Sequence, residues 1–209
     1  MNHSDRHKRV RLLVKKCNLE RKQQAKKIDI LCNDLIEAQR HFIDKLETIS
    51  FAAQFYDSVV GVTELGRLLS GATNIIKEEI PDSNIAFFLW QSDNFDLHIL
   101  ESDRPISLEK QQLENCFDKE LVEEICRSNR ICTLDDMFAM GLEGNLKMLN
   151  NLSVITLPLG QIGPSLGFIL IYRSAENKLT TGDLRNITAI TPGLSRAIQS
   201  CRLHSNSRD

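Results

Sequence analysis

The first 60 residues carry one helical pattern of apolar positions. Residues 4–60 contain neither proline nor glycine and consist largely of good helix formers, which predicts one uninterrupted helix. Within it, apolar side chains recur at alternating steps of three and four residues, the heptad spacing of a coiled coil. The positions of this stripe, among which only Gln39 is polar, are Ala25, Ile28, Cys32, Leu35, Gln39, Phe42, Leu46, Ile49, Ala53, Tyr56 and Val60.

An apolar stripe of this length needs a partner surface. We expect a second copy of the chain to cover it, so the sequence predicts a parallel homodimer in which Gln39 fixes the register of the two helices. The residues expected at this dimer contact are Ile28, Cys32, Leu35, Gln39, Phe42, Leu46, Ile49, Ala53 and Tyr56. The alternative is that the stripe packs back onto the chain's own domain.

The period of the apolar positions changes after Gly61. A second amphipathic helix is predicted from Val62 to Ile76, and Pro81 prevents it from continuing. Two short runs follow, an apolar one at Ile85–Trp90 and an alternating one at Phe95–Leu100. They predict a β-hairpin whose first strand is buried on both faces.

The rest of the chain alternates between helical and β-prone segments. We predict a surface helix at Leu108–Arg130, a short strand at Ile131–Leu134, and a connection with one helical turn at Asp135–Asn151. Ser153–Leu159 and Leu166–Tyr172 predict a second hairpin around a glycine-rich turn.

A last helix is predicted from Thr180 to His204. Thr180, Thr181 and Asp183 are candidates for its N-cap and first turn, and Pro192-Gly193 is expected to kink or break it. The order of elements predicts an α+β fold, an antiparallel sheet flanked by helices and preceded by a long N-terminal coiled-coil helix. We assign residues 1–60 to the dimerising helix with its basic head and residues 61–205 to the domain.

Charge is distributed unevenly although the formal net charge is only -2. Ten Lys and Arg residues between Arg6 and Lys27 are accompanied only by Asp5 and Glu20, which gives residues 1–27 the character of a basic head. The heptad pattern fails there, and the head lacks interleaved aromatic residues and a helix-turn-helix. We therefore expect only unspecific contact with nucleic acid or an anionic membrane, or else an acidic partner or a solvated helix.

Catalytic and metal-binding signatures are missing from the sequence. Six cysteines form no CxxC pair and have no nearby histidine, which predicts neither a zinc site nor a disulfide framework. We find no GxSxG, P-loop or HExxH motif, and we expect the protein not to be an enzyme. No apolar run reaches membrane-spanning length and no secretory signal is recognised, so a cytoplasmic location is expected.

The second hairpin and the start of the last helix resemble the GAF domain family. The matching features are Pro158-Leu159 at the end of an apolar strand, the glycine-led strand Gly167–Ile171, and Thr180 with Asp183-Leu184 at the helix start. The resemblance implies a dimeric sensory domain of cytoplasmic, mainly bacterial, signal transduction proteins, which bind small molecules on one face of a six-stranded sheet. The cyclic-nucleotide and chromophore motifs of the family are missing, so the resemblance leaves the identity of any ligand open.

The resemblance also implies where a ligand pocket would lie. Flexible methionine side chains in the segment after Ile131–Leu134 suit an adaptable apolar cover over such a pocket. The residues expected to line it are Phe87, Leu89, Asp136, Phe138, Met140, Met148 and Thr156. The alternative is that these side chains are ordinary core residues.

Two functions follow from these expectations. The first is a non-catalytic cytoplasmic signalling protein that dimerises through its N-terminal helix, binds a small molecule of unknown identity and acts on a signalling protein partner. The second is a ligand-free structural or regulatory adaptor. A cavity beneath residues 135–151 favours the first function, and a pocket filled by Phe87, Phe138 or Phe168 favours the second.

Overall fold

A computed structural model describes residues 3–91, 94–100, 116–143, 151–160, 165–180 and 182–206. The chain divides into two compact units, Met1–Ile49 and Ser50–Asp209. Helix α1 spans His3–Val59 and confirms the predicted long helix. Among the described residues, no helix has an apolar stretch long enough to span a lipid bilayer.

The second unit is built on one antiparallel sheet. Over the described residues its five strands lie in the order β2-β1-β5-β4-β3, so the two predicted hairpins join along β1 and β5. The strands are β1 (Asn84–Gln91), β2 (Asn94–Leu100), β3 (Cys132–Thr133), β4 (Leu152–Leu159) and β5 (Gly167–Ser174). The sheet with its flanking helices confirms the predicted α+β fold.

The junction between β1 and β5 depends on Gly167. Its φ of +127° lies in a region that side-chain-bearing residues rarely adopt, and a Cβ atom there would lie 1.8 Å from the carbonyl oxygen of Phe88. Only glycine lets the two backbones approach this closely. The glycine at the start of this apolar strand therefore has a structural reason.

Helices cover one face of the sheet and form the first core. Helix α2 (Leu65–Glu79) and the C-terminal helix, here α5 (Asp183–Asn206), pack on this face together with Phe55 from the end of α1. Phe87 and Leu89 of β1 and Leu157 of β4 are among the fully buried residues that the sheet contributes to this core. Helix α2 begins at Leu65 rather than at the predicted Val62, because Glu64 is extended (φ -98°, ψ 122°).

The opposite face carries the second core, which lies beneath two short helices, α3 (Lys119–Ser128) and α4 (Leu134–Ala139). The prediction of one helix over Leu108–Arg130 is wrong at Asp118, and its residues 108–115 lie outside the described residues. Asp118 is extended (ψ 170°), and its Oδ1 accepts a hydrogen bond from the Leu121 N–H at 2.8 Å. Aspartate is a strong N-cap residue, so a new helix begins here. The short strand β3 and the helical turn α4 are confirmed.

Helix α5 continues through Pro192, so the helix is not broken there, whereas the alternative of a kink stays a prediction. Proline removes the N–H that would reach the carbonyl of Thr188, but the Thr191 hydroxyl donates to that carbonyl at 2.9 Å. The predicted cap is confirmed for Thr180 and Asp183. The Thr180 N–H donates to Asp183 at 2.9 Å, and the Asp183 N–H donates to Thr180 Oγ1 at 3.3 Å.

Candidate functional site

The predicted ligand residues lie on both faces of the sheet. Phe87 and Leu89 point into the first core beneath α2 and α5. Thr156 lies on the other face, opposite Cys132 in the register of β4 and β3, and Phe138 and Met140 pack against the second core. The structure therefore brings Thr156, Phe138 and Met140 to one side of the sheet and places Phe87 and Leu89 on the other. Met148 lies outside the described residues.

The side chain of Asp136 caps the start of helix α4. Its Oδ2 accepts hydrogen bonds from the backbone N–H and the hydroxyl of Thr133 at 2.9 and 2.7 Å, which completes a capping box at the start of α4. Arg130 Nη2 lies 3.1 Å from the other carboxylate oxygen. These contacts, led by the Thr133 backbone N–H, lower the pKa of Asp136. The Asp136 carboxylate thus bonds to residues at the start of its own helix.

Three phenylalanines that β1, β5 and the start of α3 bring together fill the centre of the second core. The rings of Phe88 and Phe168 stack with centroids 4.7 Å apart, and Phe117 lies 5.1 Å from Phe88 and 6.1 Å from Phe168. Phe88 was not among the predicted site residues. The run Ile85–Trp90 is apolar throughout, so its sequence alone does not tell which residues face which core.

A cleft of 370 Å³ opens beside this aromatic group, between the β1-β2 hairpin and the start of α3. Its walls include Phe88, Phe95, Phe117 and Val122, with Asn94, Asp118 and Lys119 as polar groups. This volume is within the usual range for a site that holds a small molecule. The cleft has aromatic side chains among its walls, but most of its exposed lining is polar, and it carries both charge signs.

The ammonium group of Lys119, beside the cleft, lies close to two neighbouring side chains. Lys119 Nζ lies 5.8 Å from the ring centroid of Trp90 and 4.0 Å from Glu123. Trp90 in turn packs edge-to-face against Phe95, with centroids 4.4 Å apart. A cation over an aromatic ring at a cleft with a mainly polar lining suits a polar ligand with an aromatic part.

Polar atoms within the second core are few. Thr156 is fully buried and its hydroxyl has no hydrogen-bond partner, whereas Cys132 Sγ lies 3.3 Å from the Ser128 hydroxyl. Burial raises the pKa of the Cys126 thiol, an effect that a hydrogen bond with Ser165 partly offsets. A thiol of raised pKa is mainly protonated at neutral pH and is a weak nucleophile.

Among the described residues, no group of three or more His, Cys, Asp or Glu side chains could hold a metal ion.

The predicted dimer residues form a second candidate site, on the surface of α1. Among the stripe's large side chains in the first unit, Ile28, Leu35, Phe42, Leu46 and Ile49 are each between 49% and 64% exposed. Cys32 and Gln39 between them are also exposed.

The end of α1 shows two faces within the second unit. Residues off the stripe pack on the first core, namely Phe51, Ala52, Phe55 and Val59. Stripe residues Ala53 and Val60 stay exposed, and Tyr56 is 42% exposed although one edge of its ring contacts Gly193 of α5. In this part of the helix the domain thus uses mainly the side chains between the stripe positions and covers the stripe only in part, at Tyr56.

No family model matches this sequence, and no curated protein matches it. Among solved structures, the GAF domain of a phosphoenolpyruvate-protein phosphotransferase from Coxiella burnetii is similar, with a TM-score of 0.55 and 15% identity over 77% of this chain and 98% of that chain. The corresponding GAF domain from Acinetobacter also has a TM-score of 0.55, with 13% identity over 77% of this chain and 98% of its own.

A third similar structure is the GAF domain of a two-component sensor histidine kinase from Bacillus halodurans. It has a TM-score of 0.51 and 16% identity over 69% of this chain and 99% of that chain. At these identities the likeness concerns the fold. The chain therefore contains a domain with the GAF fold.

Proposed function

We propose that this protein is a non-catalytic cytoplasmic signalling protein that forms a homodimer through α1 and transmits the state of its GAF-like domain along that helix. The observation that carries the proposal is the two-faced end of α1. One face enters the first core through Phe55, and the other continues the exposed stripe through Ala53 and Tyr56. A helix that belongs to both a domain core and a dimer contact couples the two.

The domain's neighbours support the signalling part of this proposal. GAF domains of a two-component sensor histidine kinase and of phosphoenolpyruvate-protein phosphotransferases have this fold. The non-catalytic part is supported by the second core, whose centre is filled by aromatic rings and whose Cys126 thiol has a raised pKa. We expect the output to go to a protein partner that contacts α1 or the domain surface.

Sedimentation equilibrium of the full chain and of a Leu35→Asp/Phe42→Asp variant tests this function. The wild type should self-associate, and the variant should dissociate because charges buried in the stripe have no partners. The near-ultraviolet circular dichroism of the domain should be unchanged, because the second unit has its own two cores. Ile30→Asp, a change of an exposed residue off the stripe, is the control and should leave association intact. A monomeric wild type would contradict the proposal.

The role of the second core decides between sensor and adaptor. The 370 Å³ cleft between the β1-β2 hairpin and the start of α3 favours a small-molecule ligand. The stacked Phe88, Phe117 and Phe168 favour the ligand-free adaptor, because they occupy the centre of the same core.

Native mass spectrometry of protein purified from its own host distinguishes the two functions. A retained small molecule that is lost on denaturation would support the sensor. A chain that consistently carries no small molecule, and whose melting temperature does not respond to a library of aromatic metabolites, would support the adaptor.

A further inference from the structure

Helix α1 exposes more apolar surface than its stripe accounts for. In a heptad labelled a to g, the stripe residues Ala25, Cys32, Gln39 and Leu46 occupy position a, and Ile28, Leu35, Phe42 and Ile49 occupy position d. Ile36 and Ile43 then both occupy position e, directly beside the stripe, and are 47% and 54% exposed. Leu31 and Ala38 occupy position g on the other side.

The width of this surface exceeds what a two-stranded coiled coil covers. In such a dimer the contact is made at a and d, while e and g usually carry Glu or Lys that form ion pairs between the helices. Apolar residues at a, d and e together are typical of a helix inside a bundle of several helices. In a parallel dimer Ile36 and Ile43 at e face Leu31 and Ala38 at g of the partner helix, which cover them only in part, so the two isoleucines form an apolar flank that extends beyond the a and d contact.

The side-chain shapes at a and d also favour an assembly of more than two helices. Two-stranded parallel coiled coils favour β-branched residues at a and Leu at d, whereas Leu at a with Ile at d shifts the preference to higher assemblies. Over residues 25–49 no position a holds a β-branched residue, whereas Ile28 and Ile49 are both at d. Leu46 and Ile49 are the pair that favours more than two helices.

We propose that the flank formed by Ile36 and Ile43 docks a second pair of α1 helices, so that four copies of the chain associate as a four-helix bundle over residues 28–49. This inference rests on the proposed dimer. A further copy of α1 fits this flank because Ile36 and Ile43 are seven residues apart, the same repeat as the stripe. A helix whose heptads align with those of the stripe therefore also aligns with the two isoleucines.

The charges of the segment agree with this occupant. Residues 28–49 contain five acidic and two basic residues, and five of these seven lie at positions b, c and f, away from the stripe. The other two, Asp29 at e and Lys45 at g, lie near the two ends of the segment and leave the positions beside Leu35 and Phe42 uncharged. A helix that lies on an anionic membrane instead carries rows of Lys and Arg beside its apolar face.

Native mass spectrometry and sedimentation equilibrium of the full chain test the bundle. The wild type should have four times the monomer mass of 23.8 kDa. Ile36→Glu and Ile43→Glu, tested separately, should reduce the assembly from four copies to two, because each places a charge between the two pairs. Ile30→Glu is the matched control. It makes the same change at position f, where Ile30 is 60% exposed, and should leave four copies associated.

Each other outcome has a definite meaning. A wild-type dimer would overturn the four-helix bundle and leave the proposed function standing, whereas a monomer would overturn both. Equal dissociation of the Ile30→Glu variant would also contradict the assignment of the flank. Far-ultraviolet circular dichroism should show unchanged helix content in all variants, and Ile36→Gln, which keeps a good helix former without a charge, should weaken the assembly in the same direction.

Discussion

At the scale of single residues, Tyr56 and Gly193 show how closely the end of α1 packs against α5. A Cβ atom at Gly193 would lie 2.1 Å from Cε1 of Tyr56 and 2.7 Å from its hydroxyl oxygen. The tyrosine ring therefore rests in a notch that the missing side chain leaves in α5. Glycine in a helix interior is otherwise unfavourable, which makes this contact the structural reason for its presence.

Gly193→Ala should lower the free energy of unfolding by about 1 kcal/mol, at the lower end of overpacking costs, because the added methyl group displaces the Tyr56 ring, which is 42% exposed and can move toward solvent. In a Tyr56→Ala background the same change should instead stabilise the protein by roughly 0.5–1 kcal/mol, the usual gain for Gly→Ala in a helix. Urea unfolding of the four chains measures both values. Gly71→Ala in α2, where no atom lies within 4 Å of the new Cβ, is a control that should also stabilise.

Asp136 makes the stability of α4 depend on pH. Its pKa is lowered from 3.8 in the folded chain, chiefly by the Thr133 backbone N–H, so the carboxylate stabilises the fold above the unfolded pKa. This contribution is lost as the pH falls through the lowered folded value. We expect Asp136→Asn to be less stable than the wild type at neutral pH and the difference to shrink below pH 3.8. Thermal unfolding at several pH values measures it, and a constant difference would contradict this assignment.

At the scale of elements, the sequence predicts most helices and strands because apolar positions repeat at different spacings in the two kinds of element. The long stripe of α1, the runs of β1 and β5 and the capping pair Thr180 and Asp183 all carry local signals that tertiary contacts then reinforce. The helix start at Asp118 was missed, and of the two alternatives predicted at Pro192 the break does not occur. Both depend on side-chain hydrogen bonds to the backbone, at Leu121 and at Thr188, which periodicity does not reveal.

The candidate site was less predictable than the fold. Phe87 and Leu89 were expected beside Thr156, but strands buried on both faces carry no alternation that assigns a residue to one core. Only the register between β1 and β5, with Phe88 opposite Phe168, places the aromatic group on the same face as Thr156. Long-range pairing of this kind is not encoded in any short window of sequence.

The stripe on α1 leads to a prediction about its exposed cysteine. In a chain whose only cysteine is Cys32, mild oxidation should yield a crosslinked dimer, because position a residues of a parallel pair face each other. Non-reducing gel electrophoresis measures it. A chain with Cys17 as its only cysteine, also exposed but upstream of the stripe, is the control and should crosslink much less. Equal crosslinking of the two would contradict a parallel arrangement that starts at Ala25.

At the scale of the whole molecule, the basic head should bind polyanions such as duplex DNA, and the acidic remainder of the chain should not. Deletion of residues 1–24 removes eight of the ten Lys and Arg residues of the head and retains the stripe. We expect wild-type binding to duplex DNA to be unspecific and to weaken steeply between about 50 and 200 mM salt, because each phosphate contact releases counterions. Fluorescence anisotropy with native and scrambled duplexes measures it.

The deleted chain should lose this binding and keep its oligomeric state. Binding to anionic vesicles should respond to salt in the same direction if the head acts only through its charge. A duplex preference that survives high salt, or binding that survives the deletion, would place a specific nucleic-acid site elsewhere in the chain.

The notch at Gly193 has a thermodynamic consequence for the proposed assembly. Tyr56 touches α5 of its own domain and also occupies a position of the α1 stripe, so in the proposed dimer one side chain would take part in both contacts. By linkage, any ligand or partner that changes how α5 holds this ring must change the affinity between the copies, and association must change the affinity for that ligand by the same factor. Measuring either quantity as a function of the other would give the coupling free energy directly.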